Sequence, residues 1–125
     1  MPAEHWKDEP EPHDFPAAAD YLTLLFPAKE AESLVEGLRC GETVHRKAKD
    51  LLRASRLPLL PLEDSYVKKD LAKVAGGKPL SPVLLVRGRA EKGVPLTIAD
   101  GYHRICASYH IDEDADVPCR LVGAP

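Results

Sequence analysis

The residue types best suited to chemistry stand together in Asp100-Gly101-Tyr102-His103-Arg104. The apolar residues before Asp100 predict a strand, and Gly101 begins a predicted helix. The first turn of a helix carries unpaired N–H groups and a partial positive charge, both of which suit an anion. Gly101 would let the backbone approach that anion closely, and Arg104 could fork onto phosphate or carboxylate oxygens. The sequence therefore predicts a phosphate-binding turn here.

His103 and Asp100 add proton and metal chemistry to the same turn. A histidine can donate a hydrogen bond or transfer a proton near neutral pH. Asp100 could bind Mg²⁺ or act as a base beside the same anion. The structural alternative is that Asp100 only caps the helix and Arg104 only pairs with an acidic side chain. Both interpretations stay open at this point.

Length and composition favour one globular domain. The chain has 125 residues, of which 44% are hydrophobic, and its formal net charge of -3 is the difference between 17 basic and 20 acidic residues. Near neutrality argues against a general nucleic-acid binder, which usually has a basic excess. No apolar stretch reaches the ~18–20 residues of a membrane span, so no membrane partner is expected.

The cysteines and the N-terminal residues indicate the cellular compartment of the protein. Cys40, Cys106 and Cys119 are odd in number and widely spaced, which is not the pattern of a disulfide framework. The N-terminus is acidic and Pro-rich, whereas a secretory signal has a basic patch and then an apolar run. These features together predict a cytoplasmic protein.

Along the chain we predict an acidic, flexible tail over 1–13, three helices over 14–56 and an α+β domain over 57–125. Strands are expected at 57–62, 83–86, 96–99 and 117–122, with helices between the first two and the last two. The fold class is therefore α+β, a small mixed sheet preceded by a helical extension. Trp6 is the one tail residue that could dock on the body.

The third predicted helix begins after Thr43 and carries a basic face. Such a face is usually only solvated, but it could also contact nucleic acid or an acidic protein partner. The residues concerned are Arg46, Lys47, Lys49 and Arg53.

The order of motifs over 57–122 resembles the ParB N-terminal domain and sulfiredoxin-like superfamily, also described as the ParB-like nuclease domain family. The similarity rests on GKPLSPVLLV at 77–86, IADGYHRICA at 98–107 and VPCRLV at 117–122. Its most specific element is the Asp-Gly-x-His-Arg form of the turn. The resemblance implies a ParB/sulfiredoxin-like fold that binds nucleotide phosphates at this turn.

Variants of the turn differ in activity. Sulfiredoxins carry a nucleophilic cysteine where this chain has Tyr102, so sulfiredoxin activity is not expected. The chain is more similar to the branch that includes ADP- or ATP-dependent free-serine kinases. That resemblance implies that Asp100 is catalytic and that His103 and Arg104 contact phosphate. It also implies a further catalytic glutamate, at whose place this chain has Glu63 or Asp64.

The resulting functional hypothesis is binding of ATP or another nucleotide with Mg²⁺, held by Gly101, Tyr102, His103 and Arg104, with Asp100 as the metal ligand or base. If the protein is an enzyme, it would be a phosphotransferase or a nucleotide hydrolase. The alternative is a non-catalytic regulatory or DNA-associated module whose N-terminal helices bind a protein partner or nucleic acid. A nuclease is less favoured, and a homodimer remains open.

Overall fold

A computed structural model describes residues 6–123, which form an α+β fold and confirm the predicted class. The helices are α1 (Asp14–Leu22), α2 (Ala28–Cys40), α3 (Ala48–Ser55), α4 (Ser65–Ala75) and α5 (Tyr102–Ile111). The strands are β1 (Val44–Lys47), β2 (Val83–Arg87), β3 (Thr97–Asp100) and β4 (Asp116–Gly123). Within 6–123, no helix combines the length and apolar character needed to cross a bilayer.

The four strands form one mixed sheet in the order β1-β4-β2-β3. Strand β4 runs parallel to β2 and antiparallel to β1, and β2 pairs with β3 in antiparallel fashion. Leu84 of β2 lies opposite Asp100, the last residue of β3. The predicted phosphate turn therefore leaves the sheet at the end of an edge strand.

The apolar run of β2 is explained by cover on both faces of the sheet. Val83 and Leu85 belong to a core cluster with residues of α3, α4 and α5. Leu84 and Val86 belong to a second cluster with residues of α1 and α2. The sheet is thus the middle of three layers.

Helices α1 and α2 are part of this core and not an appended extension. Helix α1 packs against β3, and α2 packs against β4 and β2. Their apolar stripes bury Leu22 and Leu38 in the cluster that includes Leu84. The predicted division at residue 57 therefore does not separate two cores.

The predicted third helix starts too early. Residues Val44–Lys47 form β1, which pairs with β4, and α3 begins only at Ala48. The N–H groups of Ala48 and Lys49 donate to the carbonyl oxygens of Ala115 and Glu113, each at 3.0 Å. Because the loop before β4 supplies these acceptors, the chain enters α3 from an extended strand.

The strand predicted at 57–62 is also absent from the described structure, which has no strand between α3 and β2. Pro58 and Pro61 lack the N–H groups that a sheet ladder needs. The segment instead runs irregularly over α5, where the carbonyl oxygen of Leu60 lies 2.7 Å from Nε2 of His110.

The acidic segment before α1 packs on the body, contrary to the prediction of a flexible tail. Trp6 is 7% exposed and bridges to Leu80, whose carbonyl oxygen accepts the Lys7 N–H at 2.7 Å. Glu9 pairs with the buried Arg120 at 2.5 Å. The sequence alone hides this docking because it depends on partners far along the chain. Residues 1–5 of the predicted tail lie outside the described residues.

Candidate functional site

The predicted turn opens into a cleft of about 380 Å³, which we call the α5 cleft. Its walls come from α1 and the segment before it, from α4, from the segment before β2 and from the start of α5. Most of its lining side chains are ionisable, and these are Lys7, Glu11, His13, Asp14, Tyr66, Asp70, Lys73, Asp100, His103 and Arg104. The cleft can therefore bind a polar, charged ligand.

Gly101 starts α5 in the left-handed region, with φ of +107°. A Cβ at this position would press on the Val83 side chain, 2.8 Å from its Cβ. No side chain caps the helix here, and the intrahelical ladder begins with the Ile105 N–H donating to the Gly101 carbonyl at 3.0 Å. The first N–H groups of α5 are therefore left for an external acceptor.

Arg104 is a positioning residue in this arrangement. Its Nη1 donates to the carbonyl oxygens of Ser81 at 2.5 Å and Pro82 at 3.2 Å, and its Nη2 donates to Oδ2 of Asp100 at 2.5 Å. The guanidinium thus ties the β3–α5 turn to the segment before β2. Its side chain is only 13% exposed. Three of its five N–H donors are thus taken by protein oxygens, so Arg104 anchors the turn, and the phosphate contact predicted from the sequence stays a prediction.

Asp100 lies beside a second carboxyl group that sequence reasoning missed. Burial raises the pKa of Asp100, the neighbouring Asp14 carboxylate raises that pKa further, and Arg104 opposes both effects. Asp14 is 5% exposed, and its Oδ2 accepts the Glu11 N–H at 2.9 Å. Nothing in the residue spacing links Asp14 to Asp100, since only the packing of α1 on β3 brings them together.

His103 lines the cleft and Tyr102 does not, although their ring centroids are only 5.6 Å apart. His103 lines the cleft, with its ring centroid 4.8 Å from that of Tyr66. The Tyr102 hydroxyl donates to the Pro58 carbonyl oxygen, and its side chain does not line the cleft. Tyr102 therefore contributes its backbone N–H to the start of α5 and its ring to the core.

Glu63 is not brought to this cleft. It is exposed in the turn before α4 and is not among the lining residues. Its neighbour Asp64 caps α4 by accepting the N–H groups of Tyr66 and Val67, both at 3.0 Å. The catalytic role predicted for Glu63 therefore has no geometric support.

The predicted basic face is divided between two elements. Arg46 and Lys47 lie on β1, whereas Lys49 and Arg53 lie on α3. Nζ of Lys49 is 2.6 Å from Oδ1 of Asp114, and that of Lys47 is 3.8 Å from the same atom. Arg53 pairs with Asp50 at 3.2 Å. The four residues do not form the single helical face that the sequence predicted.

Metal binding by Asp100 would need help from the ligand. Among residues 6–123, no three His, Cys, Asp or Glu side chains come close enough to hold an ion by themselves. Asp100 directly precedes Gly101, and the neighbouring Asp14 lines the cleft with it. This fits Mg²⁺, which proteins commonly bind through one or two carboxylates while substrate phosphates and water complete the shell.

Replacing Asp70 with asparagine is expected to stabilise the protein at pH 7. Burial raises the Asp70 pKa above 3.8, and Lys73, 4.0 Å away, only partly opposes this. A carboxyl whose folded pKa exceeds the unfolded value loses stability as pH rises between the two values. The free energy of unfolding that Asp70→Asn gains over the parent should therefore grow as pH rises from 3.8 and become constant above the raised pKa, as measured by urea denaturation.

Asp114→Asn is the matched control, and its expected effect on stability at pH 7 is opposite to that of Asp70→Asn. Hydrogen bonding to Lys49 lowers the Asp114 pKa, so its ionised form favours the folded state. This variant should be less stable than the parent at pH 7, and the difference should shrink as pH falls below 3.8. Equal responses of the two variants would contradict the assignment of burial as the cause at Asp70.

No protein-family model, curated protein or solved structure matches the chain at a significant level. The resemblance to the ParB and sulfiredoxin-like superfamily therefore stays a prediction. The geometry of the α5 cleft is the basis on which a function can be assigned.

Proposed function

We propose that the α5 cleft binds the phosphates of a nucleotide together with Mg²⁺. The observation that carries this proposal is the uncapped start of α5 at Gly101, which opens into a charged cleft beside His103 and Lys73. A helix start with free N–H groups favours an anion, and the flanking side chains add donors of matching charge. The proposed phosphate position lies between these groups.

The charge balance of the cleft favours a metal-bound nucleotide over a bare anion. Its lining includes three permanent cations and four carboxyl groups, with two histidines besides. A phosphate alone would meet excess negative charge on the wall formed by Asp14 and Asp100. A divalent cation that arrives with the nucleotide would offset that charge, with these two carboxylates as its protein ligands.

Each residue of the turn has a distinct role in this proposal. The backbone at Gly101 and Tyr102 donates N–H groups to phosphate, and His103 donates a hydrogen bond or moves a proton. Arg104 holds the turn in place through Asp100 and two carbonyl oxygens. The Mg²⁺ would supply charge neutralisation of the phosphates. If the protein is an enzyme, the reaction would be phosphoryl transfer or nucleotide hydrolysis.

A non-catalytic nucleotide-binding module is the second candidate. It is favoured by the 2.5 Å pair between Asp100 and Arg104, because a carboxylate oxygen that already accepts from a guanidinium is less free to take a proton from a substrate or to bind a metal ion. The family assignment remains part of the proposal as well. The α+β fold and the position of the Asp-Gly-Tyr-His-Arg turn at a strand–helix junction support it.

Calorimetric titration with ATP, ADP, CTP and inorganic phosphate, with and without Mg²⁺, tests the proposal. We expect Mg²⁺-dependent binding of at least one nucleotide, and a loss of about tenfold in affinity for Lys73→Ala and for His103→Ala, because each removes a charged or polar hydrogen bond to phosphate. Lys92→Ala is the matched control, since Lys92 is exposed on a separate turn at residues 90–92.

Absence of binding by every nucleotide, or unchanged affinity in both cleft variants, would refute the proposed site. Phosphorus NMR of a nucleotide that binds then separates the two candidates. Release or transfer of a phosphate that Asp100→Asn abolishes supports an enzyme. An unchanged nucleotide after prolonged incubation supports the regulatory module.

A further inference from the structure

A second groove lies at the opposite end of α5 from the cleft, between α3 and the segment that follows it. Its volume is about 490 Å³, and we call it the α3 groove. Its lining combines basic and apolar side chains with no acidic one among them, and the principal members are Lys49, Arg53, Arg56, Leu57, Leu59 and Tyr109. The groove therefore has a defined charge, which the α5 cleft does not.

The basic wall can accept further partners. Arg53 is 84% exposed, and its pair with Asp50 is a surface contact between neighbouring turns of α3. Such exposed pairs contribute little to stability and exchange readily with other acceptors. Arg56 has one long contact, from Nη1 to the Gly93 carbonyl oxygen at 3.4 Å. Both guanidinium groups thus keep donors for a carboxylate.

The floor of the groove is apolar and exposed. Leu57 and Leu59 are 39% and 38% accessible, and Pro58 between them restricts the backbone. Tyr109 of α5 closes the opposite side. A ligand with large apolar groups would remove this surface from water.

The backbone at Arg56 is an independent sign that its side chain is used. Arg56 ends α3 with φ of 60° and ψ of 22°, and within 6–123 it is the one residue other than glycine with positive φ. Glycine is the residue favoured at such a helix end, because a side chain there strains the backbone. Strain of this kind tends to persist where a site needs the side chain.

We propose that the α3 groove binds an acidic segment of a protein partner that carries large apolar side chains among its carboxylates. The carboxylates would pair with Arg53 and Arg56, which offer planar, bidentate donors. The apolar side chains would cover Leu57 and Leu59. Single-stranded nucleic acid fits less well, because its bases need aromatic stacking platforms and Tyr109 is the one aromatic residue of this groove.

Selection of random peptides displayed against the full chain tests this inference, which does not depend on the nucleotide proposal. We expect the selected peptides to be acidic and to contain large apolar residues. Synthetic copies should shift amide resonances around 52–59 and at Tyr109, not those of the α5 cleft. Fluorescence anisotropy should show affinity at least about tenfold weaker for Arg56→Gly, which removes a charged donor.

Arg56→Gly also separates the site from the fold, because relief of the left-handed strain should raise the thermal midpoint of the same variant that binds poorly. Arg89→Ala, at an exposed arginine elsewhere, should bind as the parent does. The proposal is overturned by an absence of selected peptides, by neutral or basic ones, or by equal affinity in Arg56→Gly. An oligothymidine gel shift that Arg56→Gly abolishes would overturn it in favour of nucleic acid.

Discussion

Replacing Arg104 with alanine is expected to lower the free energy of unfolding by about 3 kcal/mol at pH 7, because breaking a mostly buried ion pair leaves its partners unsatisfied. The substitution removes three hydrogen bonds at once. It leaves Asp100 without its cation and the Ser81 and Pro82 carbonyl oxygens without their donor. Urea denaturation followed by circular dichroism measures the change.

The free energy of unfolding that Arg104→Ala loses should depend on pH, and the titration of Asp100 sets the direction of that dependence. Burial raises the pKa of this carboxyl and Arg104 lowers it, so removal of Arg104 raises the pKa further. A protonated Asp100 needs no cation, whereas an ionised one does. Arg104→Ala should therefore be least destabilising near pH 3.8, the ordinary pKa of an aspartate. It should be most destabilising above the pKa that Asp100 has in the variant.

An exposed arginine and a double-mutant cycle serve as controls for Arg104→Ala. Arg53→Ala removes an arginine from an exposed pair with Asp50, and it should cost no more than about 0.5 kcal/mol. In a double-mutant cycle, Asp100→Asn should reduce the cost of Arg104→Ala, because the two side chains are coupled. A loss at Arg104 as small as that at Arg53 would contradict the buried anchor inferred here.

The location of this turn could be predicted because its signals are local. An apolar strand that ends at Asp100, followed at once by Gly101, indicates a strand–helix junction without any tertiary information. The spacing of Asp100 and Arg104 also matches a pair one helical turn apart. The carbonyl oxygens that complete the Arg104 site lie on a different element, so the spacing alone could not decide between a phosphate contact and a structural anchor.

The elements that were mispredicted depend on distant partners. Strand β1 has four exposed residues and no apolar alternation, and it is a strand because β4 supplies its hydrogen bonds. Likewise, Trp6 in an acidic tail is buried because its backbone pairs with Leu80 and its ring joins the same core cluster as Leu80. The Trp6 pairing brings Lys7 to the α5 cleft, and the packing of α1 on β3 brings Asp14 there. Because both depend on tertiary contacts, the sequence alone could not reveal this wall of the cleft.

Gly101→Ala is expected to destabilise the protein by about 3 kcal/mol, as the sum of two separate costs. An L-residue in the left-handed region costs about 1–2 kcal/mol. Overpacking a filled site costs about 1–3 kcal/mol more, and here the new methyl would meet the Val83 side chain and lie 3.0 Å from Nη2 of Arg104. Urea denaturation measures the total cost.

Gly77→Ala separates the two costs, because Gly77 also has positive φ, at +76°, but a Cβ there meets nothing within 4 Å. Gly77→Ala should show the backbone cost alone, about 1–2 kcal/mol. A similar loss at both glycines would mean that Val83 yields easily, and the turn would then tolerate a side chain. A larger loss of stability at Gly101 would mean that the turn and Val83 of β2 cannot move apart to admit a methyl group. A rigid turn fixes the first N–H groups of α5 before any ligand arrives, which is the preorganisation that an anion site requires.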